Sequence, residues 1–425
     1  MDDPAMSAAG PEPGPGPGPG EETRLTGRTW VSGRGAVLID DRGREHVDLG
    51  AGTLTQLLGH THPGVVAAVQ RQAQQLENVH DCPTPVRGRA EAALRRLLPD
   101  RLASIAFFNT GSEAVEAALR LVLAQAATGR RRVAALRRGF HGKTRGSRAL
   151  VQWDIGAEPA SAATLGYPAY CYRCPFGLSY PSCDVLCARL TVAEVVSRPD
   201  VAALVAEPVP GSAGVLVPPP EYWPIVADGC RRNEVVLIAD EVLTGGGRVG
   251  AFLAASALGF EPDVVALAKG LASGYPVSAV AATAELGSAA AWAAAGGVSS
   301  SYGGSAVGLA AAEATLTELA ALTVDLDALF GVFAEGLDRI GEARCVGEVR
   351  YLGLLGAIEV VSDRVSRRPA PELADRIVTG AAERGVRVLP GGNVLRLAPP
   401  LIIEPDQLRQ ALGVLAEVAA EVSAG

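Results

Sequence analysis

Short apolar runs, rich in β-branched residues, recur through the middle of the chain with helical spacing between them. They cover residues 105–108, 133–136, 201–206, 235–239 and 264–268, and each is bounded by turn signals. Runs of this length are typical of strands that are buried on both faces. Because strands and helices alternate, the pattern predicts an α/β fold with a mostly parallel central sheet flanked by helices.

The two ends of the chain follow other patterns. Residues 36–49 predict a hairpin, and Pro63 suits the first turn of a helix. From about Glu313, long amphipathic helices alternate with strands, and a last helix begins at Asp406, which predicts an α+β domain. We therefore divide the chain into a disordered Pro/Gly-rich tail at 1–28, the N-terminal part of a small domain at 29–75, a large domain at 76–315 and the C-terminal part of the small domain at 316–425.

Two of the apolar runs end in a single charged residue. Asp240 follows 235–239, and Lys269 follows 264–268. Ligands of open α/β sheets bind just beyond the carboxyl ends of the strands. Burial there lowers the pKa of a lysine, and the neutral amine can attack a carbonyl. A snorkelling or ion-paired lysine is the alternative, but the chain contains only two lysines, Lys143 and Lys269, so a solvated lysine face is a poor explanation.

A second candidate site lies between the run at 105–108 and the helix that follows. Thr110, Gly111 and Ser112 combine a hydroxyl, a close backbone approach and a helix N-terminus, which together suit a phosphate. The alternative is an ordinary helix cap that uses Thr110 and Glu113.

Charge and composition exclude several classes of partner. The net charge is −8 at pH 7, so the chain lacks the overall basic character of a nucleic-acid-binding protein. No apolar run reaches transmembrane length, and the N-terminus has no basic segment followed by an apolar one, as a secretory signal would have. These features predict a cytoplasmic protein with no nucleic-acid and no membrane partner.

Four of the seven cysteines fall in one segment, with the spacing C-x2-C-x8-C-x3-C. They are Cys171, Cys174, Cys183 and Cys187. The spacing is compatible with a four-thiolate zinc site, and equally with a loop that contains small buried cysteines. We assign no metal to the segment.

Seven stretches in order resemble the class III (ornithine/4-aminobutyrate type) aminotransferases, which are fold-type I enzymes that use pyridoxal 5′-phosphate. The resemblance extends from about Thr29 to the C-terminus. The stretches are NTGSEAVEAALRL at 109–121, GFHGKT at 139–144, AEPVPGSAGV at 206–215, ADEVLTGGGRVG at 239–250, ALAKGLASGYP at 266–276, SYGGSAVGLAAAEA at 301–314 and VLRLAPPL at 394–401.

The resemblance implies that 76–315 is the cofactor-binding domain and gives roles to its residues. Lys269 would bind the cofactor covalently and transfer the substrate proton, while Asp240 would pair with the pyridine nitrogen. The remaining cofactor-binding set is Thr110, Gly111 and Ser112 at the phosphate, Phe140 and Val242 on the two ring faces, His141 beside Phe140, Glu207 near the ring, and Ser301 at the phosphate of a neighbouring subunit.

The same resemblance implies partners and substrate contacts. Ser301, which stands where the family has threonine, predicts a homodimer or a dimer of dimers. Arg396 would bind a substrate α-carboxylate, with an ordinary ion pair as the alternative, and Lys143 could contact a distal carboxylate. Three residues depart from the family pattern: Leu243 replaces a glutamine that bonds the cofactor, Ser212 replaces a glutamate that shields the arginine, and Lys143 stands where many relatives have arginine.

The predicted function is transfer of an amino group from an amino-acid or amine donor to 2-oxoglutarate, pyruvate or another carbonyl acceptor. The alternatives within the family are an amino-acid racemase or epimerase and a dialkylglycine-type decarboxylase. A catalytically inactive scaffold is a third hypothesis, and the presence of both Asp240 and Lys269 argues against it.

Overall fold

A seven-stranded sheet is the centre of the computed structural model, which describes residues 21–152, 163–294 and 296–424. The strands are β1 Trp30–Arg34, β2 Val37–Asp40, β3 Glu45–Asp48, β4 Ser104–Phe108, β5 Arg132–Leu136, β6 Thr164–Gly166, β7 Val201–Ala206, β8 Val236–Asp240, β9 Val264–Leu267, β10 Ser278–Ala282, β11 Val346–Leu352, β12 Leu355–Asp363, β13 Arg368–Pro369, β14 Val386–Arg387 and β15 Val394–Leu397.

Helices flank the strands and connect them. They are α1 Glu21–Thr26, α2 Ala51–Leu54, α3 Pro63–Ala73, α4 Pro85–Arg95, α5 Gly111–Gln125, α6 Arg145–Arg148, α7 Leu186–Leu190, α8 Tyr222–Arg232, α9 Ala254–Ala257, α10 Ala284–Gly287, α11 Ala290–Ala293, α12 Ala306–Ala320, α13 Leu326–Gly341, α14 Pro371–Glu383 and α15 Pro405–Ala424, with short 3₁₀ turns at Cys171–Arg173 and Lys269–Ala272 and a π-helical turn at Thr191–Val196.

The central sheet has the strand order β4-β10-β9-β8-β7-β5-β6. Strands β5 to β9 pair in parallel, which confirms the predicted mostly parallel sheet. The pattern analysis missed β10, which runs antiparallel to both β4 and β9. Four of its five residues are serine and alanine, so the run lacks the β-branched residues that mark the other strands.

Alternate residues of the central strands face two different helix layers. Ala203, Val205 and Ile238 pack with apolar residues of α5, whereas Leu204 and Leu237 pack with those of α8. The strands are therefore covered on both faces, and the carboxyl ends of β7, β8 and β9 remain as the edge where a ligand can reach them.

Two smaller sheets complete the fold. One has the order β1-β2-β3-β14, with β14 parallel to β3, and the other joins β11, β12, β13 and β15. The hairpin predicted at 36–49 and the helix predicted from Pro63 are both present. None of the helices in the described ranges is long and apolar enough to cross a membrane.

Residues 21–28, which the sequence analysis assigned to the disordered tail, are part of the described structure. Residues 1–20 lie outside the described residues, but α1 and the segment after it pack on the C-terminal part of the chain. Glu22 pairs with Arg387 at 2.7 and 2.8 Å, and Arg28 donates to the Ala382 carbonyl at 2.7 Å. The composition of 21–28 does not reveal this packing, because the partners of Glu22 and Arg28 lie more than 350 positions away in the sequence.

Candidate active site

A cavity of about 390 Å³ opens at the carboxyl edge of the central sheet. Residues from many segments meet there, although they are far apart in sequence. Nine of the predicted site residues line it, namely Thr110, Gly111, Ser112, Phe140, His141, Glu207, Asp240, Val242 and Lys269, together with two of the departures, Ser212 and Leu243.

Lys269 lies two residues beyond the end of β9, after Ala268, and starts a 3₁₀ turn. Its φ of +44° is in the left-handed region, which is uncommon for a residue with a side chain. Burial lowers the pKa of its amine, Glu207 and Asp240 oppose that effect, and the cations Arg396 and Arg248 reinforce it. Within the described ranges Lys269 forms no salt bridge, so the ion-paired alternative does not explain its position.

Asp240, the last residue of β8, is paired with a buried histidine. Its Oδ2 lies 2.8 Å from Nδ1 of His141, and its Oδ1 accepts from the Val242 amide at 3.2 Å. Burial works against a charged His141, but the neighbouring carboxylate of Asp240 outweighs it and raises the pKa of the imidazole. His141 is therefore not a surface residue, and it fixes the orientation of Asp240 at the floor of the cavity.

Glu207 follows β7 and joins two loops of the site. Its Oε1 accepts from the Phe140 amide at 2.9 Å, and its Oε2 accepts from the Gly211 amide at 3.1 Å. Burial raises the pKa of this carboxyl group to about 7. The side chain thus holds the loop with the aromatic ring and the loop with Ser212 in one fixed arrangement.

The start of α5 fits both interpretations of residues 110–112, the helix cap and the phosphate site. Thr110 caps the helix, because its Oγ1 accepts from the Glu113 amide at 3.2 Å while the Glu113 carboxylate accepts from the Thr110 amide at 2.8 Å. Gly111 faces Val242 so closely that a Cβ at this position would lie 2.8 Å from Val242 Cγ1. Only glycine leaves the helix N-terminus open to the cavity, as a bound phosphate requires.

Three predicted residues are not among those that line the cavity. Ser301 is exposed, and its carbonyl accepts from Asn78 Nδ2 at 2.8 Å. Lys143 is exposed as well, and its amide donates to Ser112 Oγ at 3.2 Å. Arg396 lies on β15, from where its charge contributes to the low pKa of Lys269.

Sequence reasoning missed several residues that form the site. Thr55 comes from the N-terminal part of the chain, and Tyr275, Pro276 and Val277 lie between Lys269 and the unpredicted strand β10. Thr55 and Val277 belong to none of the seven stretches, whereas Tyr275 and Pro276 stand inside the stretch ALAKGLASGYP but received no role from the sequence. The pairing of His141 with Asp240 has no sequence signal either, since 99 positions separate the two.

The four clustered cysteines lie away from this site. They surround a separate cavity of about 20 Å³ together with Tyr170 and Tyr180. All of them are free thiols. In the parts of the chain that the structure describes, no three His, Cys, Asp or Glu side chains are grouped so that they could hold a metal ion. The geometry therefore gives the zinc interpretation no support.

Comparison with known proteins agrees with this geometry. The class-III aminotransferase family matches residues 21–419 of the chain. This chain belongs to the class-III aminotransferase family. Acetylornithine aminotransferase of Corynebacterium efficiens is 35% identical over 404 residues, 93% of each chain. 5-Aminovalerate aminotransferase DavT of Pseudomonas aeruginosa is 35% identical over 393 residues, 89% of this chain and 90% of that protein.

Solved structures of transaminases have the same fold. An amine transaminase from an uncultivated Pseudomonas species, in the form with bound pyridoxal phosphate, has a TM-score of 0.85 at 29% identity and covers 100% of this chain and 98% of its own. A transaminase obtained by ancestral reconstruction has a TM-score of 0.86 at 27% identity, with 95% and 94% covered. Because these relatives are aminotransferases, the chain is an aminotransferase rather than the racemase or decarboxylase considered above.

The cofactor of this aminotransferase is pyridoxal 5′-phosphate, and the cavity fits it. The helix start at Gly111 and Ser112 has room for the phosphate, and Lys269 is a buried amine whose pKa is lowered. Asp240 supplies a carboxylate whose orientation is fixed. When bound, the cofactor supplies a reactive carbonyl carbon and an electron-withdrawing ring.

Proposed function

We propose that this aminotransferase takes the amino group from a donor with a primary amine and a carboxylate on one carbon chain, and passes it to a 2-oxo acid. The observation that carries the proposal is that β15 holds Arg396 close enough to Lys269 for its positive charge to add to the effect of burial in lowering the pKa of that amine. The named relatives support this choice of donor, since their names specify acetylornithine, 4-aminobutyrate and 5-aminovalerate.

Lys269 would be both the covalent anchor of the cofactor and the base. With its pKa lowered by burial, the amine is neutral for a larger share of the time, so it can take a proton from the substrate carbon and return it to another atom. Asp240, held by His141, would keep a negative charge at the ring nitrogen. Phe140 and Val242, which both line the cavity, would hold the ring between them.

Two departures from the family pattern shape the substrate end. Leu243 is buried and adds an apolar wall where a polar side chain is usual, and its Cδ1 would lie 2.2 Å from a Cβ on Gly211. Ser212 has no carboxylate that could form an ion pair with Arg396. We therefore expect that no acidic side chain has to move before a substrate carboxylate reaches Arg396.

Replacement of Arg396 by alanine tests the proposed carboxylate contact. A charge-assisted bond to a carboxylate contributes about 1.5–3 kcal/mol, so the reaction with the oxo acid should slow by at least about tenfold. A donor amine without a carboxylate should be affected much less. Each half-reaction is followed separately through the absorbance of the bound cofactor.

The exposed Lys143 gives the matched control for this test. Lys143→Ala should leave the rates of both half-reactions within about twofold of the wild-type rates, because the Lys143 side chain does not line the cavity. If Arg396→Ala slowed the carboxylate-free donor as much as the oxo acid, Arg396 would be structural. If only Lys143→Ala slowed the reaction with the oxo acid, Lys143 and not Arg396 would be the residue that contacts the carboxylate.

We further propose that the active unit is a homodimer or a dimer of dimers. Ser301 and the neighbouring Tyr302 are exposed, and the Tyr302 side chain is 68% accessible, so both are available to a second copy. In this arrangement Ser301 would complete the phosphate site of the partner subunit, and each cavity would need both chains.

Mixing two inactive variants tests the shared site. Lys269→Ala removes the base, and Ser301→Asp places a negative charge against the phosphate of the partner. A mixed dimer contains one site with both native residues, so random exchange of subunits should restore about a quarter of the wild-type activity. Sedimentation monitors assembly. Absence of recovery in verified mixed dimers, or an active monomer, would contradict the shared site.

We propose a cytoplasmic location because the cysteine thiols are unpaired. All seven cysteines are free, including the exposed Cys82 and Cys171. Unpaired exposed thiols persist in reducing compartments, whereas secreted proteins usually pair them.

A further inference from the structure

A buried ion cluster lies between the cysteine-rich segment and the C-terminal sheet. Its centre is Glu359 of β12, which is 0% exposed. The carboxylate accepts from Tyr170 Oη, from Arg173 Nε and, at 2.6 Å, from Nη1 of Arg350. Burial opposes the charge on Glu359, but Arg350 first, and then Tyr170 and Arg173, outweigh it and lower the pKa of the carboxyl group.

Arg350 connects this cluster to the cavity wall. Its Nε donates to the Gly214 carbonyl at 2.9 Å, and its guanidinium lies 5.2 Å from the centre of the Tyr170 ring. The contact with Gly214 is close, because a Cβ on that glycine would lie 2.9 Å from Arg350 Nη2. Arg350 is 9% exposed, so few other positions are open to its side chain.

The backbone that Arg350 contacts is the turn formed by residues 211–215. Amides of Gly214 and Val215 donate to the Gly211 carbonyl at 3.1 and 3.3 Å, which closes the turn. Its first residue donates to Glu207, and its second, Ser212, lines the cavity. The turn is thus held at one end by a residue of the site and at the other by Arg350.

The C-terminal sheet gives Arg350 a fixed relation to the proposed carboxylate anchor. Arg350 is opposite Ala357, and Ala357 is opposite Arg396, so the three side chains stand in one row on one face of the sheet. Two strand spacings separate the arginines, which is about 10 Å. Glu359 stands on the same face, two residues after Ala357, and its ion pair with Arg350 holds that guanidinium at the turn.

We propose that Arg350 is a positioning residue that holds Ser212, through the turn at 211–215, in place at the substrate end of the cavity, with Glu359 and Tyr170 fixing its orientation. The proposal rests on the function proposed above, in which that end of the cavity receives the substrate carboxylate. It also gives the cysteine-rich segment a role, since Tyr170 and Arg173 connect this segment to the cluster.

Hydrogen–deuterium exchange of the peptide that covers 209–217 tests the positioning without any substrate. In Arg350→Met the amides of Gly214, Val215 and Leu216 should exchange at least about tenfold faster, because the turn loses a charge-assisted bond. Arg364→Met is the matched control. Arg364 also donates to backbone carbonyls of the C-terminal part, those of Val346 and Ala343, but not to the turn.

Kinetics distinguish positioning from a general loss of structure. For Arg350→Met we expect the KM for the oxo acid to rise about tenfold, kcat to stay within about threefold and the cofactor absorbance to stay unchanged. Arg350→Lys keeps the positive charge but loses the forked guanidinium group, so its KM for the oxo acid should lie between those of the wild type and Arg350→Met. Tyr170→Phe removes one donor to Glu359 and should raise KM about fivefold in a folded protein even if Arg350→Met fails to fold.

Two results would overturn the proposal. One is unchanged exchange at 209–217 in a folded Arg350→Met protein. The other is an equal rise of KM in Arg364→Met. Should the enzyme prove inactive with every donor and oxo acid, the function proposed above would fail, while the exchange experiment would still decide whether Arg350 holds the turn.

Discussion

Replacement of Lys269 by alanine is expected to lower turnover by at least about 10⁴-fold, the upper end of what one general acid–base group contributes. The side chain is the only lysine that lines the cavity, within the ranges that the structure describes. Its pKa is lowered by burial, so the wild-type enzyme has a neutral amine where the proton must be removed. No other group in the lining combines that basicity with that position.

The measurement is single-turnover reaction with a donor amine, together with the visible spectrum of the purified protein. Lys269→Ala should lose the absorbance that depends on covalent attachment, while it keeps the fold. Lys143→Ala, which removes the other lysine of the chain, should keep both absorbance and turnover. Turnover near the wild-type rate in Lys269→Ala would exclude it as anchor and base.

Replacement of Asp240 by asparagine is expected to lower turnover by about 10²–10³-fold, the usual effect of losing one preorganised electrostatic group. Asparagine keeps the shape and can still accept from Val242, but the negative charge is gone. Asp263→Asn is a suitable control, because Asp263 precedes β9 at the opposite edge of the same sheet and pairs with Arg101 at 3.1 Å. That variant should keep its turnover within about threefold.

A second measurement follows from the partner of Asp240. The pKa of His141 is raised in the folded protein, so the pair stabilises the fold fully below the ordinary histidine value of about 6.5. This stabilisation is lost as the pH rises through the raised value. The difference in Tm between wild type and Asp240→Asn should therefore be largest at low pH and shrink as the pH rises. A difference that grows with pH would contradict a charged pair.

The sequence predicted the central strands and the meeting of Asp240 with Lys269 for one reason. Both residues end short apolar runs, and the carboxyl ends of parallel strands meet at one edge whatever their distance in sequence. The register, in which Asp240 is opposite Ala266, brings Lys269 to that edge. Glu207, at the end of β7, follows the same rule.

Other features depended on contacts that no local pattern contains. The partner of His141 is set by a loop conformation after β5, and the ion cluster at Glu359 needs the cysteine-rich segment to fold over the C-terminal sheet. Strand β10 was not predicted, because serine and alanine have little strand preference of their own. It forms because β4 and β9 pair with it on both sides. These are effects of tertiary packing on weak local preferences.

The small sheet that contains β14 has a consequence for synthesis of the chain. Arg387 of β14 donates to Asp48 at 2.6 Å and to the Gly52 carbonyl at 2.7 Å, so it holds the segment that leads to Thr55 at the cavity. These contacts span 339 and 335 positions. Because synthesis runs from the N-terminus onward, this closure waits until Arg387 has left the ribosome. A polypeptide terminated before residue 386 would therefore lack the contacts that hold the Thr55 wall, however completely its central sheet had folded.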